Sequence, residues 1–473
     1  MTADIQEELN EYEKLRCSNI QERESLFQEV MEAKSKVNKA FARKKVIFRK
    51  IDYGPPSRKS RRILKEVIPK VERAPNPLQT LDFKAIFDYG FYDERLKQGE
   101  QFFTHFCQEL FEINPTKQQL NINEYNSNKN DLQSKTSAVI SDPKEHIRSI
   151  CIHPAEWKIL AGAGTMQGDL VLWDVTEGFQ SNPSLYKFKP HSSEINCLSW
   201  DKFNSHQLIT SSFDGTCRIL DLNRMESRLL FGNKDFLSLN MKNNYNGPKM
   251  NTCDMHQQLI GQEFLISMGR TGCISLVDQR VGHEYAVQEY QVFDAVSAQN
   301  ISVHPVQDNL VLAANNVGGA FVFDRRNLPG KEDGFCKPVA ELVGHEKGIT
   351  SAAFNSSGNK IATMCIDNKL RLFDSTIIKG SLEGSAADHS NRKIYHNFGF
   401  RGVWHPNHED VYFAGSQVPR QVRAYRATSV MNQIRTYRDY QGDDLKFTCP
   451  VLAAHPTLDV LVGGGTKRVQ VFM

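Results

Sequence analysis

The sequence has no Cys-x-x-Cys pair, no apolar run long enough to cross a bilayer, no secretory leader and almost no net charge. Its ten cysteines are scattered singly along 473 residues, which excludes a zinc framework or a disulfide scaffold. Cys151, Cys197 and Cys365 fall inside apolar alternating runs, where a thiol serves as a small buried hydrophobe in a reducing compartment. Without a leader or an apolar span, the expected setting is the cytosol or the nucleus, with no membrane partner. Nucleophile elbow, Walker loop, HExxH and paired carboxylates are missing as well. Gly463-Gly464-Gly465 lies between two strand-like runs, so it is a turn and not a phosphate cradle. These gaps argue against an enzyme, a metal, a cofactor or a small-molecule substrate.

The formal net charge of +3 conceals a strong segregation. Residues 1–33 carry 3 basic and 9 acidic side chains, residues 34–73 carry 15 basic and 3 acidic ones, and the remaining 400 sum to −3. A concentrated basic segment on a near-neutral body points to an arm that touches something anionic. Arg43, Lys44 and Lys45 precede the helix-breaking Gly54-Pro55-Pro56, and Arg58, Lys59, Arg61 and Arg62 follow it. The pair of clusters suits a two-part nuclear import signal. It equally suits a phosphate-binding arm, since such clusters neutralise phosphates without reading bases.

Around this segment the chain divides into a helical then basic arm (1–76), an aromatic-rich helical segment (77–111), a flexible linker (112–134) and a β domain (135–473). In the arm Leu9, Tyr12, Leu15, Leu26, Phe27, Val30 and Met31 recur at three- and four-residue steps, as on an amphipathic helix. In the second segment Phe102, Phe106 and Leu110 share one helical face, and packing against the β domain is the expected role. The linker is rich in Asn, Gln and Lys.

The β domain is organised around one repeated unit, plainest at Ile147–Val175: an alternating run, a His-Pro turn, a second run, a polar turn and a third run ending in Trp173-Asp174. It returns six more times at roughly fifty-residue spacing, which is the scale of propeller repeats. The first strands close at His153, Asp201, His256, His304, Asn355, His405 and His455. The third strands end near Trp173, Leu220, Val277, Phe323, Phe373, Tyr425 and Phe472, with Asp next in five of the seven. The pattern resembles the WD-repeat family and implies an all-β, seven-bladed WD-repeat β-propeller with an N-terminal helical and basic extension. The seventh repeat lacks an outer strand. Because proteins avoid bare sheet edges, that strand is expected from about Lys135–Ile140.

In such a ring the four His-Pro pairs sit on different blades and cannot share an ion, so they are strand-ending turns. One end of the ring would gather Arg270, Lys347, Lys369, Arg401, Arg420, Lys467 and Arg468, interrupted by Asp169, Asp214 and Asp367. Cations around the channel mouth suit a phosphate backbone. Asp278-Gln279-Arg280 and Asp324-Arg325-Arg326 close the third strands of consecutive blades. They resemble the Asp-x-Arg element of many substrate receptors of cullin-type ubiquitin ligases, and this implies a possible contact with the ligase adaptor.

Several stretches carry a closer resemblance. Residues 11–27 with the SRKSRR block, residues 189–200 with 211–222, and residues 400–426 including Gly415, Ser416, Pro419 and Arg420 are similar to the WD repeat-containing protein 76 family. That family is related to the small subunit of the damage-specific DNA-binding complex. The resemblance implies a nuclear, chromatin-associated propeller linked to DNA metabolism and the damage response. No counterpart of the small subunit's damage-probing hairpin is found, which argues against specific lesion recognition. A general protein-interaction scaffold is the remaining reading.

Overall fold

A computed structural model describes residues 81–82, 107, 110, 134–139, 146–175, 184–232, 252–269, 271–281, 286–294, 296–331, 334–390, 399–427, 434–440, 448–466 and 468–473. The expected helix of the arm, the basic segment and most of the linker lie outside them. Seven sheets, each built on four antiparallel strands, follow one another around a central channel as blades 1 to 7, and in blade 4 Gly380–Leu382 adds a parallel fifth strand on Ala340–Leu342. The innermost strands are Ile147–Ile152, Ile195–Trp200, Cys253–Gln258, Ala298–Val303, Ile349–Phe354, Val403–Trp404 and Val451–Ala454. The third strands are Leu170–Asp174, Thr216–Asp221, Cys273–Asp278, Ala320–Asp324, Lys369–Asp374, Gln421–Ala427 and Arg468–Phe472.

The ring closes as expected. Ser134–Val139 pairs antiparallel with Arg468–Phe472, from Ser134 opposite Phe472 to Val139 opposite Arg468. The strand before the first repeat thereby completes the last blade, and the ring keeps no open seam between first and last blades. Leu81–Asp82 adds a fifth strand to the outer edge of blade 2, opposite Ser227 and Glu226. Cys107 and Leu110 are buried in the cluster shared by blades 1 and 2, with Leu160, Phe188, Leu208 and Leu220. The part of the aromatic segment that is described therefore packs on the propeller.

Core lies between blades rather than around one centre. Trp173 is fully buried against Ile159 and Val175 of its own blade and Leu458, Val460 and Val469 of blade 7. Burying such a ring is worth several kcal/mol, and truncation to alanine costs about 3–5 kcal/mol. The Asp that follows the third strand has a local cause. Its carboxylate accepts backbone N–H groups of the next turn, as Asp221 does from Asn223 (3.1 Å) and Arg224 (3.0 Å).

One irregularity recurs and shapes the channel. In blades 1 to 5 the pairing of first and second strands slips by one residue at the start of the first strand. The skipped residues are Arg148, Asn196, Asp254, Gln299 and Thr350. A β-bulge re-aims its extra residue, and these five polar side chains line one narrow neck of the channel together with Arg401 from blade 6.

Candidate nucleic-acid interface and partner face

The turns between second and third strands and the loops entering first strands share one end of the ring, called here the upper end. Arg420 ends the turn before the third strand of blade 6 and Arg468 opens that of neighbouring blade 7, and both are exposed. Lys347 is exposed in the loop entering blade 5, and Lys369 faces Glu346 at 3.7 Å. Arg270, Lys467 and the seven candidate arm residues (Arg43, Lys44, Lys45, Arg58, Lys59, Arg61 and Arg62) lie outside the described residues.

The acids expected on this rim are drawn inward. Asp169 is buried between Lys187 (3.2 Å) and Lys189 (3.3 Å). Asp214 accepts from the His191 ring at 3.0 Å and the Ser192 N–H at 3.1 Å. Burial pushes its carboxyl up, but His191 and these hydrogen bonds outweigh that and hold it below the usual range. Asp367 and Arg371 form a buried pair at 2.6 Å. These acids close contacts within a blade or between a blade and the loop entering it. Glu346, Asp294 and Asp388 are exposed acids at the same end, so Arg420 and Arg468, on adjacent blades, make the cleaner cationic patch.

Arg401 departs from its expected place among the exposed cations. Its backbone N–H donates to Pro450 O (2.7 Å), and its guanidinium reaches across the channel to blade 2, donating to Asn196 O (2.5 Å) and Asn196 Oδ1 (2.9 Å). Asn196 passes the contact on by donating to Asp254 O at 2.7 Å, and Asp254 accepts from Ser297 and Thr252, each at 2.6 Å. Next to Arg401, a Cβ on Gly402 would overlap the Phe413 carbonyl and the Tyr412 ring, so only glycine lets the chain pass close enough to send the arginine inward. The neck is a polar plug linking blades 6, 2, 3 and 4.

The opposite, lower end carries the strand-ending histidines and the two Asp-x-Arg elements. His153 accepts Ala155 N–H on Nδ1 (3.1 Å), and its Nε2 meets Ser205 O of blade 2 (3.0 Å). His455 does the same with Leu458 N–H (3.0 Å) and Ala155 O of blade 1 (3.1 Å). His304 and His405 accept the N–H groups of their own turns. All four are pushed below the ordinary histidine value, first of all by burial. They are turn-closing residues, as their spacing predicts. His256 differs, because its strand runs two residues further. Its ring is buried between Ser199 and Ser211 of blade 2, at 2.7 Å from each hydroxyl.

The two Asp-x-Arg elements adopt the same geometry on neighbouring blades 3 and 4. Asp278 accepts Arg280 N–H (2.9 Å), Nε (2.9 Å) and the terminal nitrogen (2.6 Å). Asp324 accepts the corresponding groups of Arg326 at 3.1, 3.0 and 2.7 Å. Arg326 holds the Asp324 carboxyl at about 2, and Arg280 lowers Asp278 likewise. The arginine side chains are 67% and 69% exposed. Exposed pairs of this kind are weak, so a docking partner can lift either guanidinium at little cost. Arg325 instead ties to Asp308 at 3.0 Å.

The arginines stand among apolar side chains that sequence reasoning missed. Phe203, Ile260 and Val306 occupy the turns after the first strands of blades 2, 3 and 4, and Val281 and Ile377 follow third strands, all more than 60% exposed. The signal was legible, since these turn positions are ordinarily polar. A groove of about 430 Å³ runs beside Arg326, lined by Val306, Asn309, Thr376 and Ile378. Contiguous exposed apolar surface rimmed by polar groups is characteristic of interaction sites.

Comparison with known proteins agrees with this geometry. The WD domain, G-beta repeat model matches residues 182–221 and 336–374, which fall in blades 1–2 and 4–5. The chain is 31% identical to WD repeat-containing protein 76 of Xenopus laevis over 340 residues, covering 70% of this chain and 53% of that protein. It is 29% identical to the protein of that name in Mus musculus over 364 residues, covering 74% and 53%. The chain is a WD-repeat propeller related to WD repeat-containing protein 76. It also matches DNA damage-binding protein 2 of Oryza sativa subsp. japonica, at 24% identity over 339 residues, 68% of this chain and 53% of that one. The chain spans about half the length of the curated relatives it matches.

Proposed function

We propose that this chain is a nuclear binding protein, not an enzyme, that holds DNA or chromatin in DNA metabolism or the damage response. It grips the phosphate backbone without reading bases, through the basic segment around Arg43–Lys45 and Arg58–Arg62 and through Arg420 and Arg468 at the upper end. The similarity across the propeller to proteins named for binding damaged DNA carries this reading, and the segregated charge supports it.

The test is fluorescence anisotropy with a short DNA duplex across a salt series. Each lost phosphate contact lowers the slope of log K against log salt by about 0.9, and six to ten contacts cost roughly 10³–10⁵ in affinity between 50 and 200 mM salt. Replacing Arg43, Lys44, Lys45, Arg58, Lys59, Arg61 and Arg62 by Gln is expected to lower that slope by up to about six. Arg420→Gln/Arg468→Gln is expected to lower it by about two. Shuffled duplexes should bind alike. No salt-dependent binding by the full chain would refute the reading.

A second reading is favoured by the matched geometry of Arg280 and Arg326 among exposed apolar residues. In it the lower end docks the adaptor of a cullin-type ubiquitin ligase, and the propeller presents substrates. Adaptor recovery with the wild type, lost in Arg280→Ala/Arg326→Ala, is the expected result. Equal recovery with both proteins would refute it and leave a general scaffold.

A further inference from the structure

The plug of the channel contains a cation with no carboxylate in direct contact, although Asp254 and Cys197 act on it from further off. Arg148 in the same neck has Glu194 at 3.1 Å. Arg401 makes its two hydrogen bonds to the carbonyl and amide oxygens of Asn196, and among the described residues no carboxylate lies within ion-pair distance of it. A guanidinium has five N–H donors, so three remain. Burial, with Arg148 nearby, outweighs the opposite pull of Cys197 and Asp254 and lowers Arg401 to about 10, while the side chain keeps a partly open face that lines the chamber below. Spare guanidinium donors facing a mostly apolar wall favour a hydrogen-bonded anion.

Below Arg401 the channel widens into a chamber of about 630 Å³ that opens at the lower end. Its walls are mostly apolar, with Ile152, Leu198, Trp200, Val403 and Leu452 from the inner strands of blades 1, 2, 6 and 7. The space above the guanidinium is only about 60 Å³. The chamber is thus blind and greasy, with one cation at its closed end. Small-molecule sites have this size and this balance of apolar wall with a few placed polar groups.

We propose that the lower chamber binds a small amphipathic monocarboxylate, with its hydrocarbon chain against the inner strands and its carboxylate on Arg401. The apolar walls disfavour a bare inorganic anion, and the guanidinium repels an amine. The neck above is too small to pass a chain, so the ligand enters from the lower end.

The chamber contains its own reporter. Cys197 lines it, 8% exposed. Burial raises that thiol, but His256 and then Arg401 outweigh the effect and hold it at about 7, whereas burial pushes Cys107, Cys217 and Cys449 up to about 12. The experiment uses the full chain with decanoate below its micelle concentration, and decanol and decylamine as uncharged and cationic matches. Alkylation of Cys197 by iodoacetamide is followed by peptide mass, alongside calorimetric titration. Decanoate is expected to bind once per chain and to slow alkylation about tenfold at ten times its Kd. Decanol and decylamine should protect weakly, Arg401→Met should lose the decanoate effect, and Arg401→Lys should restore part of it. Equal protection by decanoate and decanol, an undiminished effect in Arg401→Met, or no saturable binding would overturn the proposal. Should Arg401→Met not fold, the wild-type comparison of decanoate with decanol decides alone.

Discussion

Mild acid should loosen this propeller through its buried histidines. His153 accepts Ala155 N–H on Nδ1 while Nε2 meets Ser205 O, and His389 sits between the Tyr425 hydroxyl (2.7 Å) and Gly415 O (2.9 Å). His153 must stay neutral to accept on Nδ1, and both rings are almost fully buried, which disfavours their charged form. Burial lowers each to about 4. In the unfolded chain they titrate near 6.5, so below that pH the unfolded state binds more protons and stability falls, until the folded rings also protonate near 4. At pH 5 each histidine has lost roughly 2 kcal/mol, and the pair about 4 kcal/mol, relative to pH 7.5. A propeller of roughly 340 residues unfolds with an entropy near 0.7 kcal/mol per degree, so Tm should drop by about 6 °C. The depressed carboxyls of Asp214 and Asp324 act in a separate window, from 3.8 downward. Differential scanning calorimetry between pH 7.5 and 5 measures the slope in the wild type and in His153→Asn/His389→Gln, which retains one hydrogen-bonding group at each site. The double variant should start lower and fall less. A flat wild-type profile, or parallel slopes in the two proteins, would refute the reasoning.

Two further predictions concern the ring itself. Removing residues 1–142 deletes the closing strand, whose five registered pairs with Arg468–Phe472 are worth about 5 kcal/mol at roughly 1 kcal/mol per hydrogen bond. Tm should fall by about 7 °C, whereas removing residues 1–40 should leave it unchanged, and equal melting of the two truncated proteins would count against this closure. A Cβ at Gly415 would overlap the Cys449 carbonyl between blades 6 and 7, so Gly415→Ala should cost about 1–3 kcal/mol by urea unfolding. An unchanged midpoint would place that seam elsewhere.

The ring was legible because a propeller writes its period into the chain. His-Pro after first strands and Asp after third strands mark the blades, and the unpaired last repeat calls for a strand from upstream. Side-chain placement at the ends was less legible. A rim position looks the same in sequence whether its acid faces water or is drawn inward, and Asp169, Asp214 and Asp367 are all taken by lysine, histidine or arginine from their own or the adjoining blade. Arg401 looked like another rim cation. Only Gly402 beside it hinted that the chain comes too close to Tyr412 for the side chain to stay at the surface. The bulges were hidden for a similar reason. Alternation predicts which face a strand residue takes, and a one-residue slip cancels that prediction at the slip.

That slip separates what the two ends can do. Without it, Arg148, Asn196, Asp254, Gln299 and Thr350 would join the faces between blades, where a polar side chain needs a partner in the adjoining core. With it, they fill the neck with a network crossing from Arg401 in blade 6 to Ser297 at the start of blade 4. The neck keeps only about 60 Å³ of free space, too little to thread a polymer, and the sheets between are rigid strands with paired backbones. Charge at Arg420 and Arg468 therefore acts on whatever lies above. Arg280, Arg326 and the chamber act on whatever lies below. A long anionic polymer needs the open upper rim, where turns project and cations can follow its backbone. A folded partner suits the lower end, where guanidinium groups alternate with Phe203, Ile260, Val281 and Val306. Joining two unlike partners through one stiff ring is what this arrangement of ends is physically suited to do.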